Sequence, residues 1–558
     1  MKKFFGFIIV LLLSFWIIRP LINSGYFPMH DDTQVARVVV MGRALREGQF
    51  PVRWVSDLGY GYGYPIYNFY GPLPYYLGGA FYAAGVNSVV ATKIMFGFGA
   101  ILASLTMYCL LEPWFGIVLA ITGAVLFSYA PYHAVDIYVR GAVGEYWAIG
   151  FLPLVIYGFT MMFDNQRQRK GIIAGGIGLA GVILSHTILG YLTVGLVMTG
   201  IVVYWFTGLI RKNFERRMLI GPLAIVAVGL GVSAFFWIPA LVEMKSTSVS
   251  AMITNAPTVF FDHFVCPAQL WNSPWGFGGS VPGCVDGLSF KLGKPEIGMA
   301  ILGLLTMIVV VMKKKIAETR SLMVIAGATL IISLLGVLEI SKPIWSLVPN
   351  YTFIQYPWRL LSFTIVSCGM IGVYPFILIR NRGVRIIVAI ALIAICIVVN
   401  AKLFRPQYLY PVNSNQLESA TDLRFRVSKI SDEYLPSGIP KPKNPSEVVR
   451  DVIQADSPMK SRVVQNTATD LKVVVESKTT QRIQIQRAYF PGWIYFVNGQ
   501  PMIPTIAHAL PSVVVSEGTS VIESRFTNTP IRLVGNVMSI ISIVFIGGIL
   551  YYGKKTNA

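Results

Sequence analysis

Two adjacent carboxylates, Asp31 and Asp32, follow the first apolar stretch of the sequence, directly after His30. One aspartate is enough to cap a helix, and two charges beside a bilayer are costly to desolvate. A carboxylate in this position could serve as a general base or as a metal ligand. We therefore predict that Asp31 or Asp32 is catalytic and that His30 lines the same site; helix capping is the alternative.

A second group of polar residues lies in the segment DIYVRGAVGEYW. Asp136 and Arg140 are four residues apart, and Glu145 stands at the edge of the next apolar stretch. Arg140 could bind a phosphate, while Asp136 and Glu145 could hold a divalent cation such as Mg²⁺ or Mn²⁺. The alternative is a local ion pair on one helix face.

A third group lies in the segment TFIQYPWRLLSF, where Arg359 opens an apolar stretch beside Tyr356 and Trp358. Aromatic residues at a membrane boundary need no functional explanation. An arginine on the outer boundary opposes the usual charge bias, so we predict that Arg359 binds an anionic group. His186 ends another apolar stretch on the same face and is predicted to line the site, although a polar helix end is the alternative.

The acids open a segment, residues 26–78, that is too polar and too rich in Gly, Pro and Tyr to cross a bilayer. In the residues just after the acids, apolar side chains recur at helical spacing on one face, as in an amphipathic helix. Such a helix would lie along a membrane surface or against other helices. Aromatic residues broken by glycines follow and could line a concave site. The predicted lining residues here are Arg37, Tyr64, Tyr67, Asn68 and Tyr70.

The composition indicates the kind of fold that must position these groups. The chain has 558 residues, of which 54% are hydrophobic and 13% are charged, and its mean hydropathy is +0.62. A polytopic, all-α membrane module follows, with about twelve spans. Their approximate bounds are 4–22, 89–111, 114–130, 146–163, 171–186, 188–210, 218–242, 296–312, 321–338, 361–379, 384–403 and 531–552.

The net charge of +20 is concentrated in short loops and tails beside the apolar stretches. This is the positive-inside pattern, so the charge reports orientation and not a nucleic-acid partner. We predict a multi-pass protein of the cytoplasmic membrane with both termini in the cytoplasm. Within the module 1–403, the loops 23–88, 131–145, 243–295 and 339–360 would then be extracytoplasmic.

Residues 404–530 are predicted to form an extracytoplasmic domain, and 531–558 a final span with a basic cytoplasmic tail. Runs such as LKVVVES, RIQIQRAYF and SVVVS alternate β-forming residues between turns, which predicts an antiparallel β-sandwich. Cys266 and Cys284 share one outer loop and are expected to form a disulfide. The glycine-rich run GLGYGYGYP lacks the GK[ST] of a phosphate-binding loop, so no nucleotide cofactor is expected.

These residues support a family resemblance. An acidic pair in a large loop after the first span resembles the GT-C superfamily of integral-membrane glycosyltransferases. More narrowly, the runs HDDTQVAR, GYGYPIYNFYGPLPYYLG, YVRGAVGEYWA, FIQYPWRLL and FPGWIYFVNG resemble the bacterial membrane family labelled 6-pyruvoyl-tetrahydropterin synthase-related. The ligand histidines of the soluble zinc pterin enzyme are absent, so the label does not indicate that activity.

The resemblance implies transfer of a sugar from a polyprenyl-phosphate donor to an extracytoplasmic acceptor. Asp31 or Asp32 would be the base, and Arg140 with Arg359 would bind the donor phosphate. Membrane lipid is the other expected partner. Two alternatives stay open, a transporter or flippase, for which Lys93 inside a span is the best indication, and a non-catalytic membrane scaffold.

Overall fold

The computed structural model describes residues 2–162, 167–212, 216–249, 257–313 and 319–555. A bundle of helices carries an antiparallel β domain at one end, which we call the β-domain end. This is the predicted fold class. Residues 250–256 of the predicted loop 243–295, and parts of the basic clusters at 211–217 and 313–320, lie outside the described residues.

Fifteen of the helices in the described residues have eight residues or more. They are α1 Lys2–Leu13, α2 Phe15–Ile22, α3 Gln34–Arg46, α4 Leu73–Ala83, α5 Ser88–Ser128, α6 Val143–Met161, α7 Gln168–Ser185, α8 Thr187–Ile210, α9 Arg216–Val232, α10 Ala234–Glu243, α11 Lys294–Met312, α12 Arg320–Val337, α13 Leu361–Ile371, α14 Arg382–Asn400 and α15 Pro530–Lys555.

Eight helical segments of the described chain are long and apolar enough to cross a membrane, or up to ten if each of two bent pairs is one span. The bent pairs are α1 with α2 (52°) and α9 with α10 (71°). Two predicted spans, 89–111 and 114–130, correspond to one 41-residue helix, α5, which ends at Ser128. That helix is interrupted at Gly116, whose φ of 75° is not helical. The count of twelve spans therefore stays a prediction.

The β domain contains two antiparallel sheets. Its strands are β1 Ile453–Ala455, β2 Lys460–Asn466, β3 Asp470–Ser477, β4 Gln481–Ile485, β5 Trp493–Val497, β6 Gln500–Met502, β7 Thr505–Ala507, β8 Leu510–Val515 and β9 Gly518–Phe526. One sheet has the order β1-β4-β8-β7 and the other β2-β3-β9-β5-β6. In β3, Leu471, Val473 and Val475 alternate inward, which is the period-2 pattern of a half-buried strand.

The sandwich occupies a smaller part of the predicted domain than 404–530. In the described chain, residues 404–452 contain no strand of the two sheets and form short helical turns, among them Asp422–Val427 and Ser428–Ile430. We call this segment the strap. It pairs with residues 23–88, which we call the first loop. The backbone N–H and C=O groups of Tyr26 and Tyr410 exchange two hydrogen bonds of 2.9 Å.

Helix α3 is buried on nearly all sides, with ten of its thirteen residues in the interior. The predicted amphipathic helix therefore packs against other elements and does not lie along the membrane surface. The first loop also shares a core with the β domain: the ring of Trp54 lies 5.5 Å from Trp493 and 5.6 Å from Phe526. The strap thus reaches the part of the first loop just before the acidic pair, and the β domain packs on a later part of the same loop.

Candidate active site

Two segments that are distant in sequence meet at the acidic pair. The backbone N–H groups of His30 and Asp31 donate to the carbonyl oxygens of Val139 and Arg140, at 3.1 and 2.9 Å. Backbone bonds of this kind fix the position of a loop without using its side chains. The first and second predicted groups of polar residues therefore lie together at the β-domain end.

The two aspartates have different partners. Asp32 Oδ2 accepts from Arg426 Nη1 at 2.7 Å, and Asp422 accepts from the Nε and Nη2 of the same guanidinium at 2.5 and 3.0 Å. Asp31 is exposed, and its carboxylate has no hydrogen-bond or ion-pair partner within the described ranges. Helix α3 follows Thr33 without a side-chain cap, so the capping alternative is wrong for both acids.

The pair formed by Asp32 and Arg426 is partly solvated, with side-chain exposures of 34% and 37%. Burial raises the pKa of the Asp32 carboxyl above its ordinary value, and Arg426 offsets part of that shift. Ion pairs this exposed add little to stability. Arg426 therefore mainly orients Asp32 and leaves Asp31 as the acid that is open to solvent.

Behind the acidic pair lies a buried ion-pair cluster. Arg140 is bound by Asp136 and by Glu145, the latter at 2.8 Å, and its guanidinium lies 4.5 Å from the ring centroid of Trp358. Tyr132 donates its hydroxyl to the other oxygen of Glu145 at 2.6 Å. The alternative of a local ion pair is thus present, and it extends into a larger cluster.

Arg359 completes this cluster from the third predicted group. It donates to Glu145 at 2.7 Å and to Gln355 at 2.8 Å, and its Nη1 lies 3.2 Å from His186 Nε2. The Nδ1 of His186 accepts the Leu189 N–H at 3.1 Å, which leaves the proton of a neutral ring on Nε2. Arg359 and His186 therefore face each other as two donors, and no acceptor from the described residues lies between them.

The ring of His186 is neutral at pH 7. Burial, together with the neighbouring Arg359 guanidinium, lowers the pKa of His186 to about 3. An oxygen of an anionic ligand could accept hydrogen bonds from both N–H groups at once. No acceptor in the described ranges does so. The buried Nε of Arg359 also has no partner among the described residues.

The predicted metal ligands Asp136 and Glu145 are engaged by arginines. No group of three or more His, Cys, Asp or Glu side chains able to hold a metal ion occurs in the described part of the chain. As they stand, the two acids do not fit a metal centre. A divalent cofactor stays a prediction, and we assign no step to it.

The aromatic stretch surrounds Arg37. The Arg37 guanidinium lies 4.0 Å from the ring centroid of Tyr70 and donates to Tyr75 at 3.3 Å and to Ser431 of the strap at 3.0 Å. Tyr67 donates to the Arg37 carbonyl at 2.5 Å and is itself buried. Of these predicted lining residues, only Tyr70 is partly exposed.

Two other predicted lining residues lie inside the protein and not on an open surface. Tyr64 is fully buried. Asn68 bridges two charged groups, since it accepts from Arg53 at 3.0 Å and donates to Glu243 at 2.8 Å. Arg532, also fully buried, donates to Glu243 at 2.9 and 3.1 Å. This network connects the first loop, α10 and α15, and sequence patterns did not indicate it.

The loop 243–295 also reaches the acidic pair. The Nε2 of His30, which is exposed, lies 2.9 Å from the carbonyl oxygen of Phe277. The same loop contains a disulfide between Cys266 and Cys284, whose Cα atoms are 5.6 Å apart. This is the pairing expected from the sequence, and it closes the loop that carries Phe277.

Sequence reasoning missed the contribution of the strap. Asp422 and Arg426 stand at the i,i+4 spacing of a helical ion pair, and this was the available signal. Nothing in the strap sequence indicates that the Arg426 guanidinium also reaches a carboxylate in the first loop. Asp32 and Arg426 are too far apart in the sequence for a local pattern to predict that contact.

A family model described as a 6-pyruvoyl-tetrahydropterin synthase related domain, membrane protein, matches residues 67–405. Among curated proteins, an uncharacterized protein of Lactococcus lactis subsp. cremoris (strain MG1363) is 23% identical over 254 residues. That alignment covers 43% of this chain and 40% of the relative, so the chain matches about two fifths of the relative's length.

Among solved structures, this chain is similar to the apo oligosaccharyltransferase of Archaeoglobus fulgidus, at a TM-score of 0.44 and 14% identity, over 80% of this chain and 61% of that one. It is also similar to arabinofuranosyltransferase AftD from Mycobacteria, at 0.43 and 15%, over 74% and 28%. A third is ArnT from Cupriavidus metallidurans bound to undecaprenyl phosphate, at 0.30 and 13%, over 72% and 88%.

Proposed function

We propose, from the premise that this chain belongs to the 6-pyruvoyl-tetrahydropterin synthase related family of membrane proteins, that it is a membrane glycosyltransferase. It moves a sugar from a polyprenyl-phosphate donor to an acceptor hydroxyl outside the cytoplasmic membrane. Asp31 is its general base. The acidic pair in a large loop after the first span resembles that of GT-C glycosyltransferases, and this resemblance supports sugar transfer as the reaction class.

One observation carries this proposal: the carboxylate of Asp31 is exposed and unpaired within the described ranges, while backbone bonds fix its loop beside Arg140. A base must be ionised, accessible to the acceptor and held in position. Asp32 meets these conditions less well than Asp31, because Arg426 donates a hydrogen bond to one of its carboxylate oxygens. Asp32 positions the loop, and Asp31 takes the proton.

The phosphate of the sugar donor can be bound by the two N–H groups of Arg359 and His186 that face each other. As the acceptor oxygen attacks the anomeric carbon, its proton passes to Asp31 and the bond from that carbon to the phosphate oxygen breaks. The departing polyprenyl phosphate gains negative charge. Arg359 Nη1 and the Nε2–H of His186, 3.2 Å apart, can both donate to it, which stabilises the charge that develops.

The remaining assignments follow from the same arrangement. Arg140 holds Glu145 against Arg359 and lies next to the phosphate site. The partly exposed Tyr70, stacked on Arg37, offers a ring face for a sugar. We assign the β-domain end to the extracytoplasmic side, because the basic clusters of the sequence lie in the loops of the opposite end.

The transporter alternative has less support from the contacts. Lys93, its best indication, donates to the carbonyl oxygen of Asn23 at 2.7 Å. The ammonium group therefore reaches a loop at the end of α5, as a snorkelling lysine does. It does not mark a site at the middle of the bundle.

The test compares Asp31→Asn with Asp32→Asn in membranes supplied with polyprenyl-phosphate-linked sugars. Asparagine keeps the shape of the side chain and removes its basicity. We expect Asp31→Asn to lose about a hundredfold or more in transfer, the scale of general base catalysis, while its thermal stability is unchanged. Asp32→Asn should lose less. Full transfer by Asp31→Asn, or equal loss in both variants, would contradict the assignment of Asp31.

A further inference from the structure

Three lysines gather at the β-domain end of the bundle, where α11 begins and α14 ends. They are Lys291, Lys294 and Lys402, which we call the lysine cluster. A buried hydrogen bond fixes the two helix ends together: Asn400 donates to Glu296 at 2.7 Å. Lys294 precedes Glu296 by two residues, and Lys402 follows Asn400 by two residues.

The lysine cluster carries unmatched positive charge. None of the three ammonium groups has a carboxylate partner in the part of the chain that the structure describes. Burial lowers the pKa of Lys291, and the nearby Lys402 and Lys294 lower it further. Like charges brought this close repel one another, and an anion between them would remove that repulsion.

Two tryptophans border the lysine cluster. Lys291 Nζ lies 5.4 Å from the ring centroid of Trp275, and Lys294 Nζ lies 5.6 Å from that of Trp271. Trp271 is 49% exposed. Tryptophan is enriched at the headgroup level of membranes, where its ring meets both the polar and the apolar region.

Apolar side chains continue from the lysine cluster along the outer faces of both helices. Ile301 and Leu305 of α11 and Ile395 and Val398 of α14 are all exposed in the bundle. Such residues on a membrane span face lipid chains. A lipid whose headgroup lies among the lysines therefore has an apolar surface directly beside its chains.

The location opposes the usual charge bias. With the orientation assigned above, the lysine cluster lies on the extracytoplasmic side, where lysines near span ends are disfavoured. The donor phosphate already has a separate site at Arg359, which is buried. In contrast, Lys294 and Lys402 are exposed on the outside of the bundle and Lys291 is partly exposed.

We propose that Lys291, Lys294 and Lys402 bind the phosphate headgroup of an anionic phospholipid of the outer leaflet, with its chains along α11 and α14. This proposal rests on the proposed orientation and adds a lipid site to the proposed transferase. Trp275 lies edge-on to Phe277 at 6.3 Å, and the carbonyl of Phe277 contacts His30 beside the acidic pair. The bound lipid thus supports the loop that borders the active site.

The test measures lipid retained by the full-length protein, purified and reconstituted with either phosphatidylglycerol or phosphatidylcholine. The variant replaces all three lysines of the cluster by glutamine. The matched control replaces Lys443, Lys460 and Lys478 by glutamine, because these are exposed lysines of the strap and the β domain. Both variants change the net charge equally, and their melting temperatures are compared first.

We expect the cluster variant to bind phosphatidylglycerol at least fivefold more weakly than wild type. The control should bind it as wild type does, and binding of phosphatidylcholine should be the same in all three proteins. Should the triple variant misfold, Lys294→Gln alone is measured and should show a smaller loss in the same direction. Equal phosphatidylglycerol binding in the cluster variant and the control would overturn the proposal.

Two further arms distinguish other sources of phosphate. Loss of polyprenyl phosphate binding without loss of phosphatidylglycerol binding would assign the lysines to the donor and overturn the proposal. Displacement of phosphatidylglycerol by millimolar inorganic phosphate would likewise indicate a site for a free anion. Because lipid binding is measured without turnover, its failure leaves the assignment of Asp31 untouched, and an inactive Asp31→Asn protein should still bind the lipid.

Discussion

Asp31 and Asp32 show how neighbours of one residue type acquire different chemistry. Both stand in the turn before α3, and neither caps it. Arg426 binds Asp32, whereas Asp31 stays open. The sequence indicates that two carboxylates are one more than a cap needs; neither of them caps α3, and the catalytic role stays a prediction. The sequence cannot indicate which of the two is free, because Arg426 lies in a segment that no local pattern connects with the first loop.

His186 should make the stability of the protein depend on pH. Its pKa is lowered to about 3 by burial and by Arg359, whereas an unfolded histidine titrates near 6.5. Between pH 6.5 and 3 the unfolded chain binds a proton that the folded chain excludes. Stability therefore falls as the pH falls through this window, by up to about 1.4 kcal/mol per pH unit for one such group.

We expect the melting temperature of His186→Asn to differ less between pH 7.5 and pH 5.5 than that of the wild type does. Thermal melting in detergent at the two pH values measures this. His133 is a matched control: it is buried and its pKa is also lowered to about 3. His133→Asn should flatten the pH dependence similarly but leave sugar transfer intact, whereas His186→Asn should also weaken transfer. An unchanged pH dependence in both would contradict the neutral state of these two rings.

At the level of elements, the periodicity of the sequence predicts whether a segment is a helix or a strand better than it predicts what surrounds that segment. The alternating runs in the C-terminal part predict strands, and β3 alternates as expected. The helix after the acidic pair is also present as α3. Its burial on nearly all sides was not predicted, because the strap that covers it has no period of its own and was included in the predicted sandwich.

The contact between Trp54 and the β domain should hold the two parts of the molecule together. Trp54 belongs to the first loop, is fully buried, and packs on Phe490, Trp493 and Phe526. Removing such a ring from a core costs about 3–5 kcal/mol. We expect Trp54→Ala to increase amide hydrogen exchange in β5 and β9.

Trp16 provides the comparison, since it is exposed on the outside of the bundle. Trp16→Ala should leave exchange in β5 and β9 as in wild type. Unaltered exchange in Trp54→Ala would mean that the β domain keeps its position without the first loop. Increased exchange in both variants would point to a general loss of stability instead.

At the level of the whole molecule, composition and charge predict the membrane module, and contacts between distant segments decide how it is joined. The buried network of Asn68, Arg53, Glu243 and Arg532 ties the first loop to α10 and α15. Its members come from three predicted elements, and each looks unremarkable within its own segment. Only the assembled helices bring the charges together.

Glu243→Gln should strongly destabilise the protein. The change leaves Arg532 and Arg53 buried without an anion, and breaking a buried pair in this way costs about 3–5 kcal/mol. We expect a lower melting temperature in detergent, with no such change for Glu339→Gln, which alters an exposed glutamate. The double variant Glu243→Met with Arg532→Met should recover part of the loss, because it removes the unpaired charge. A melting temperature equal to wild type for Glu243→Gln would show that the network is dispensable.

The bond between Asp32 and Arg426 joins residues 394 positions apart, and this separation has a consequence for biosynthesis. At ribosomal speeds of about 5–20 residues per second, roughly 20–80 s pass between the synthesis of the two partners. During that interval the first loop has already emerged on its side of the membrane without the segment that covers it. A nascent or truncated chain that ends before the strap contains every predicted active-site residue of the first loop, yet it cannot orient Asp32. We therefore expect a chain that ends before the strap to carry out the proposed reaction less efficiently than the finished protein, in which Arg426 holds Asp32.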